Sequence, residues 1–184
     1  MTRMRRGATL LLVVLPALAG CGESRTESDG GDVHIMDFAT ATVRLVTARD
    51  TVPLTLELAV SADQQRLGLM ERRHLPERAG MLFVYDSTQP PDAGFWMYRT
   101  RIPLDIAFLD STGVVRAVRS MVPCPTTMPE GCPSYAPDTP YRYALEVNGG
   151  ALARWGAGLG ARLLLGDVKR DVKRDDSARA RRAP

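Results

Sequence analysis

The chain has 184 residues, 24 of them basic and 21 acidic, giving a formal net charge of +3 and a sequence pI near 9.0. The excess lies at the ends: the first twenty residues hold three arginines and no acid, and from Asp167 onward seven basic residues face four acidic ones. Residues 21 to 166 therefore carry −3, which leaves no basic stripe to track phosphates and argues against nucleic acid as a partner of the folded part.

Arg3, Arg5 and Arg6 precede a ten-residue apolar run, Ala8 to Ala17, and Leu18-Ala19-Gly20-Cys21 follows at once. This is the pattern of a secretory signal, residues 1–20, ending in a lipobox. The run is too short to span a hydrocarbon core, which needs roughly 20 apolar residues. The tetrapeptide resembles the site at which bacterial lipoprotein signals are cleaved and the cysteine is acylated, with palmitate among the chains added. Two or three acyl chains hold far more firmly than one, so Cys21 is expected to be a lipid anchor. Gly22, where an aspartate would signal retention, resembles the sorting pattern for the outer membrane, and the expected location is its periplasmic face. Residues 21–36, polar and glycine-bearing, read as a flexible tether reaching at most about 50 Å.

The folded part is expected over residues 37–168. ATVRLVTAR and PLTLELAV alternate with period two and predict a hairpin turned at "DT" beside Pro53. Ser61, with Gln64 three residues on, forms a capping-box pattern and predicts a short helix in ADQQRLGLM. MLFVYD, GFWMYRT, LDIAFLD, VVRAVRSM and YRYALEVNGG are further strand candidates, with DSTG a turn between Asp110 and Gly113. ALARWG suggests a second helical turn and ARLLLGDV a last strand. Many short strands with one or two helices predict a mostly β (α+β) single domain, a small, partly open barrel. Residues 169–184, charged and repeating DVKR, read as a disordered, solvated tail.

QQRLGLM, GMLFVY, FWMYRTRIPLDIAFLD, PCP, YALEVNGG and GLGARLLLGD occur in the order and spacing of an uncharacterised family catalogued as domain of unknown function 192, which this chain resembles from about Val43 to Val168. The resemblance implies a compact, β-rich, often exported domain and implies no reaction.

Apart from Cys21, the cysteines are Cys124 and Cys132, bracketing the proline-rich PTTMPEG. In an exported protein such a pair predicts a disulfide. A competing reading takes Met121, Cys124, Met128 and Cys132 as soft ligands for Cu(I); disulfide formation would remove both thiolates, so no metal or other cofactor is assigned. His34 and His74 are too far apart in sequence to suggest a metal site, and no nucleophile elbow, phosphate loop or zinc-protease motif is present.

Strand parity sets Leu104, Ile106 and Phe108 on one face and Asp105 and Ala107 on the other. In YRYALEVN it sets Tyr141, Tyr143, Leu145 and Val147 against Arg142, Ala144, Glu146 and Asn148. Two readings stay open. In one, Asp105 pairs with Arg99 or Arg101, and Glu146 with a neighbour, to hold a sheet edge. In the other, Trp96, Asp105, Glu146 and Asn148 line a shallow pocket for a small molecule or carbohydrate. The expected function is a non-catalytic ligand-binding or accessory domain of an envelope lipoprotein. The alternatives are a hydrolase of envelope glycans using Asp105 and Glu146, and a structural lipoprotein that acts through an envelope protein partner.

Overall fold

A computed structural model describes residues 36–126, 128–166, 168 and 172. The segments expected to be signal, lipobox, tether and tail lie outside the described residues, apart from Met36 and Val172.

Strands β1 (Ala39–Val46) and β2 (Thr51–Ala59) form the expected hairpin. Its turn is Thr47 to Asp50, closed by the Thr47 amide donating to the Asp50 carbonyl at 2.9 Å and by the Thr47 hydroxyl accepting from the Asp50 amide at 3.1 Å. Pro53 therefore lies inside β2 opposite Arg44, two residues short of Thr55, where pairing to the next strand begins. At that position its missing N–H costs the sheet nothing. Helix α1 (Ala62–Leu67) is capped as its sequence suggests: Ser61 accepts from the Gln64 amide, and the Gln64 side chain accepts from the Ser61 amide. It connects β2 to β3 (Ala79–Gln89), which runs parallel to β2. Strands β4 (Leu104–Leu109), β5 (Val115–Met121) and β6 (Tyr141–Asn148) follow, then helix α2 (Ala151–Trp155) and the two-residue β7 (Arg162–Leu163).

The seven strands form one mixed sheet in the order β5-β4-β6-β3-β2-β1-β7. It curls until its ends meet. Val114 bridges Arg162, and the Val115 amide donates to the Ala161 carbonyl at 2.8 Å. The outcome is the expected partly open barrel, with two short helices. None of the described helices is long and apolar enough to cross a membrane.

Two apolar clusters flank the sheet. Leu45, Leu54, Leu56, Leu82, Leu109, Leu145 and Leu163 fill the concave side, over which α2 packs through Ala151 and Leu152. Met81, Phe83, Leu104, Ile106, Phe108 and Ala144 lie on the other side, under Leu69, Leu75, Phe95 and Met97 from the connecting segments. Strand β4, between β5 and β6, is consequently buried along its whole length. Each leucine-sized side chain so buried contributes roughly 1.5 to 3 kcal/mol.

Three expectations need correction. GFWMYRT is not a strand: Phe95 makes one bridge to Tyr135, the Thr100 amide donates back to the Met97 carbonyl at 3.2 Å, and Arg99 has φ of +54°. A turn and a left-handed residue are incompatible with a ladder. Tyr141 does not pack with Tyr143 but joins the outer cluster, its ring against Phe108 and Tyr85 at 4.9 and 5.7 Å between centroids. ARLLLGDV contributes only Arg162 and Leu163 as strand.

Candidate functional site

Glu146 lies at the centre of the sheet. Its cross-strand neighbours are Ile106 on β4 and Met81 on β3, both apolar. The residue is only 4% exposed, and among the described residues no group donates a hydrogen bond to its carboxyl. Burial without a partner favours the protonated acid, and the pKa is pushed up to about 8.

The carboxyl faces a cavity of about 130 Å³. Three segments wall it: Gln65 to Met70 at the end of α1, Phe83 and Tyr85 on β3, and Gly94 to Trp96 with Thr100. Two glycines make these approaches feasible. Gly68 has φ of +50°, and a Cβ there would stand 3.3 Å from the Phe83 ring. A side chain at Gly94 would collide with Ser134 and the Ala136 backbone, which flank Tyr135 where it pairs with Phe95. Trp96 is 43% exposed and tilts against Tyr98 at 5.8 Å between centroids.

At the rim, Glu71 and Arg99 both have positive φ, of 62° and 54°. The Glu71 amide donates to the Arg99 carbonyl at 2.8 Å, and Arg99 Nε donates to Glu71 Oε1 at 2.6 Å. Such conformations cost about 1 to 3 kcal/mol each and persist where surrounding contacts hold them; here they set Thr100 against the cavity. Arg101 also binds Glu71, at 2.6 Å from Nε, and the two guanidiniums hold that carboxyl below its usual range.

The sequence candidates separate. Trp96 and Glu146 line the same cavity. Asp105 does not: it pairs with Val147 and Ser120, on the opposite face from Glu146. Its Oδ1 accepts from the Ser120 hydroxyl at 2.9 Å and its Oδ2 from the Leu152 amide at 3.2 Å, so it ties β4 and β5 to the first turn of α2. Neither Arg99 nor Arg101 reaches it, because both turn to Glu71. Asn148 shares the parity of Glu146, but its Nδ2 donates to the carbonyls of Leu75 at 2.9 Å and Pro76 at 3.1 Å. It fastens the segment after α1 rather than facing the cavity. A wider depression of about 650 Å³ lies beside α2 and touches Asp105, whose oxygens are already paired. Cys124 and Cys132 are bonded to each other, with Cα atoms 5.5 Å apart, which leaves no thiolate for a soft metal.

Gln65, Phe83, Tyr85, Phe95 and Thr100 were not among the sequence candidates. Period two in GMLFVYD does place Phe83 and Tyr85 on one face, so part of this wall carried a signal.

With this fold and cavity in view, the class of protein is defined by comparison. The model of an uncharacterised family, domain of unknown function 192, matches residues 44–165. The chain belongs to that family. A crystal structure of a proposed transcription regulator from Sinorhizobium meliloti 1021 shares 37% identity, covering 70% of this chain and 95% of that one, at a TM-score of 0.62. A protein of unknown function from Novosphingobium aromaticivorans DSM 12444 shares 30% identity, covering 79% and 99%, at 0.61. No curated protein matches this chain.

Proposed function

We propose that this chain is an envelope lipoprotein whose folded domain binds a small ligand in the cavity over Glu146 without turning it over. The observation that carries the binding reading is Glu146 itself, a buried carboxyl with no hydrogen-bond partner among the described residues, opening into an aromatic-walled cavity. Leaving such a group unpaired costs roughly 1 to 3 kcal/mol, a cost that a ligand reaching it would offset. The size of the cavity suits one head group, not a run of sugar rings. Catalysis by Asp105 and Glu146 lacks its geometry, since paired carboxylates must flank one bond and these face opposite sides of a sheet. The regulator label of the Sinorhizobium protein gives no reason to add DNA as a ligand here, because residues 21 to 166 carry −3. Anchoring rests on Leu18 to Cys21 and would hold the domain at a membrane, where an envelope protein partner is also within reach.

A thermal-shift screen of small polar molecules, run on the wild-type chain and on Glu146→Gln, tests the binding reading. A ligand at 100 times its dissociation constant stabilises by about 2.7 kcal/mol, and Glu146→Gln should remove most of that response. Ligands that stabilise both proteins equally would place the site elsewhere.

A further inference from the structure

We infer that the cavity over Glu146 receives a primary ammonium group, with the Glu146 carboxylate as its counter-ion; this rests on reading the cavity as a ligand site and adds the class of ligand. The first argument is an inventory of protons. Gln65 Nε2 donates to the Val84 carbonyl at 2.9 Å and the Ala59 carbonyl at 3.4 Å. Both partners are acceptors, which fixes the orientation of the amide. Its Oε1 receives no donor among the described residues. The Thr100 hydroxyl points its proton at the Tyr98 carbonyl, 3.5 Å away. Tyr141 gives its proton to the Ala93 carbonyl at 3.0 Å, which leaves its oxygen lone pairs open beside the Tyr85 ring, 5.7 Å away between centroids. What these groups keep for a ligand is oxygen lone pairs. An ammonium, with three donors and no acceptor, complements such a wall. An anionic ligand would meet the lone pairs of Gln65 and Thr100 inside, with the half-exposed Trp96 indole and the exposed Arg66 guanidinium as donors on the solvent side.

Aromatic rings and charge point the same way. Phe83, Tyr85, Phe95 and Trp96 contribute to the lining, and aromatic faces attract cations within about 6 Å of the ring centroid. Of the charged groups around the cavity, Arg66 turns to Asp63 at 3.4 Å with its side chain 71% exposed, and Glu71 is taken by Arg99 and Arg101. Among the described residues, Glu146 is thus the one carboxyl that lines the cavity.

The proton balance follows. In the empty site Glu146 is a neutral acid at neutral pH, since burial holds its pKa at about 8. An entering ammonium forms an ion pair with the carboxylate, and the carboxyl proton leaves to solvent. Binding at pH 7 or below therefore releases close to one proton, and affinity rises with pH up to about 8. Tyr85, on β3 across the cavity, stays protonated over this range because burial pushes its phenol upward. Arg99, raised by Glu71, keeps its charge and Glu71, lowered by its two partners, keeps its own, so Glu146 supplies the proton.

The test uses the full chain and methylammonium chloride, with sodium acetate and 1-propanol at matched ionic strength, read by amide NMR at Gly68, Gly94 and Thr100. Methylammonium should shift these amides saturably, with affinity rising about fiftyfold between pH 6 and pH 8, and Glu146→Gln should abolish the effect. Should that variant not fold, the wild-type Glu146 carboxyl carbon provides the readout: methylammonium should lower its titration midpoint, and an unmoved midpoint overturns the proposal. Ethanolamine and Nα-acetyl-lysine amide then distinguish a lipid-type headgroup from a protein side chain as the source of the amine. Acetate or propanol shifting these amides where methylammonium does not would overturn the ammonium class while leaving the cavity a ligand site. Silence from every probe would overturn both readings.

Discussion

Glu146 pairs with Ile106 across the β4–β6 ladder while the adjacent Asp105 pairs with Val147, so the two buried carboxylates stand one residue apart in register and on opposite faces. Their substitutions should separate accordingly. Asp105→Ala strands the Ser120 hydroxyl and the Leu152 amide, both now satisfied by Asp105, and should cost roughly 2 to 4 kcal/mol, well above the 0 to 1 of a surface ion pair. Glu146→Gln removes no hydrogen bond found among the described residues and should cost far less at pH 7. Urea denaturation of the two variants measures the contrast, and equal losses would contradict the assignment of Asp105 as the tie to α2.

Glu146 also imposes a pH dependence of known sign. Its folded pKa, about 8, lies above the ordinary 4.5, so the folded state binds the proton more tightly. The stabilisation is present below pH 4.5 and is lost as pH rises from there to about 8. Unfolding free energy should fall by a few kcal/mol across that window, and Glu146→Gln should flatten the profile. A wild-type profile already flat between those limits would show that the carboxyl is not held as described.

Asp110 works in the opposite direction. Burial alone would raise it, but hydrogen bonds from the Thr112 hydroxyl, the Val114 amide, Arg116 and the Thr112 amide outweigh that and hold it below the usual carboxylate range. A depressed folded pKa gives stability that is present above the ordinary value of 3.8 and lost as pH falls below it. Asp110→Asn should therefore weaken the protein at pH 7 and reduce the further loss seen in acid, as a melting series from pH 7 down to pH 2 would reveal.

These residues also show where sequence reading reaches and where it stops. The Ser61–Gln64 capping box, the β1–β2 hairpin and the facing of Leu104, Ile106 and Phe108 follow from local pattern, and all are present. The relative facing of Asp105 and Glu146 depends on the β4–β6 register, which period two within each strand does not determine; a one-residue slip would reverse it. GFWMYRT has the aromatic content of a strand, yet tertiary contacts of Glu71 and Tyr135 bend it into the cover of the cavity. Half of the candidate set, Trp96 and Glu146, was therefore visible beforehand, while Gln65 and Thr100 required the fold.

Lipid anchoring is a prediction about the chain before Ile35. If Cys21 carries acyl chains, the processed protein should partition into the detergent phase on Triton X-114 separation, and Cys21→Ser should either remain an unprocessed precursor or leave that phase. Wild-type partitioning and gel mobility in the variant would rule the anchor out.

The disulfide is expected to act on the cavity as well as on stability. Closing a nine-residue loop between Cys124 and Cys132 should contribute roughly 2.6 kcal/mol by the chain-entropy relation. The same loop holds the segment that carries Trp96: the Cys124 amide donates to the Met97 carbonyl at 3.2 Å, and beyond Cys132 the backbone of Tyr135 exchanges two hydrogen bonds with Phe95, at 2.7 and 3.2 Å. Reduction frees the loop at one point while these bonds straddle it, so the outer wall should loosen before the sheet does. Cys124→Ser/Cys132→Ser should then lower the urea midpoint and, at pH 7 in the absence of denaturant, speed amide exchange at Phe95 and Tyr135 more than at Leu145 on β6. If exchange rises equally at all three, the bridge stabilises the domain as a whole and does not selectively hold the wall over Glu146.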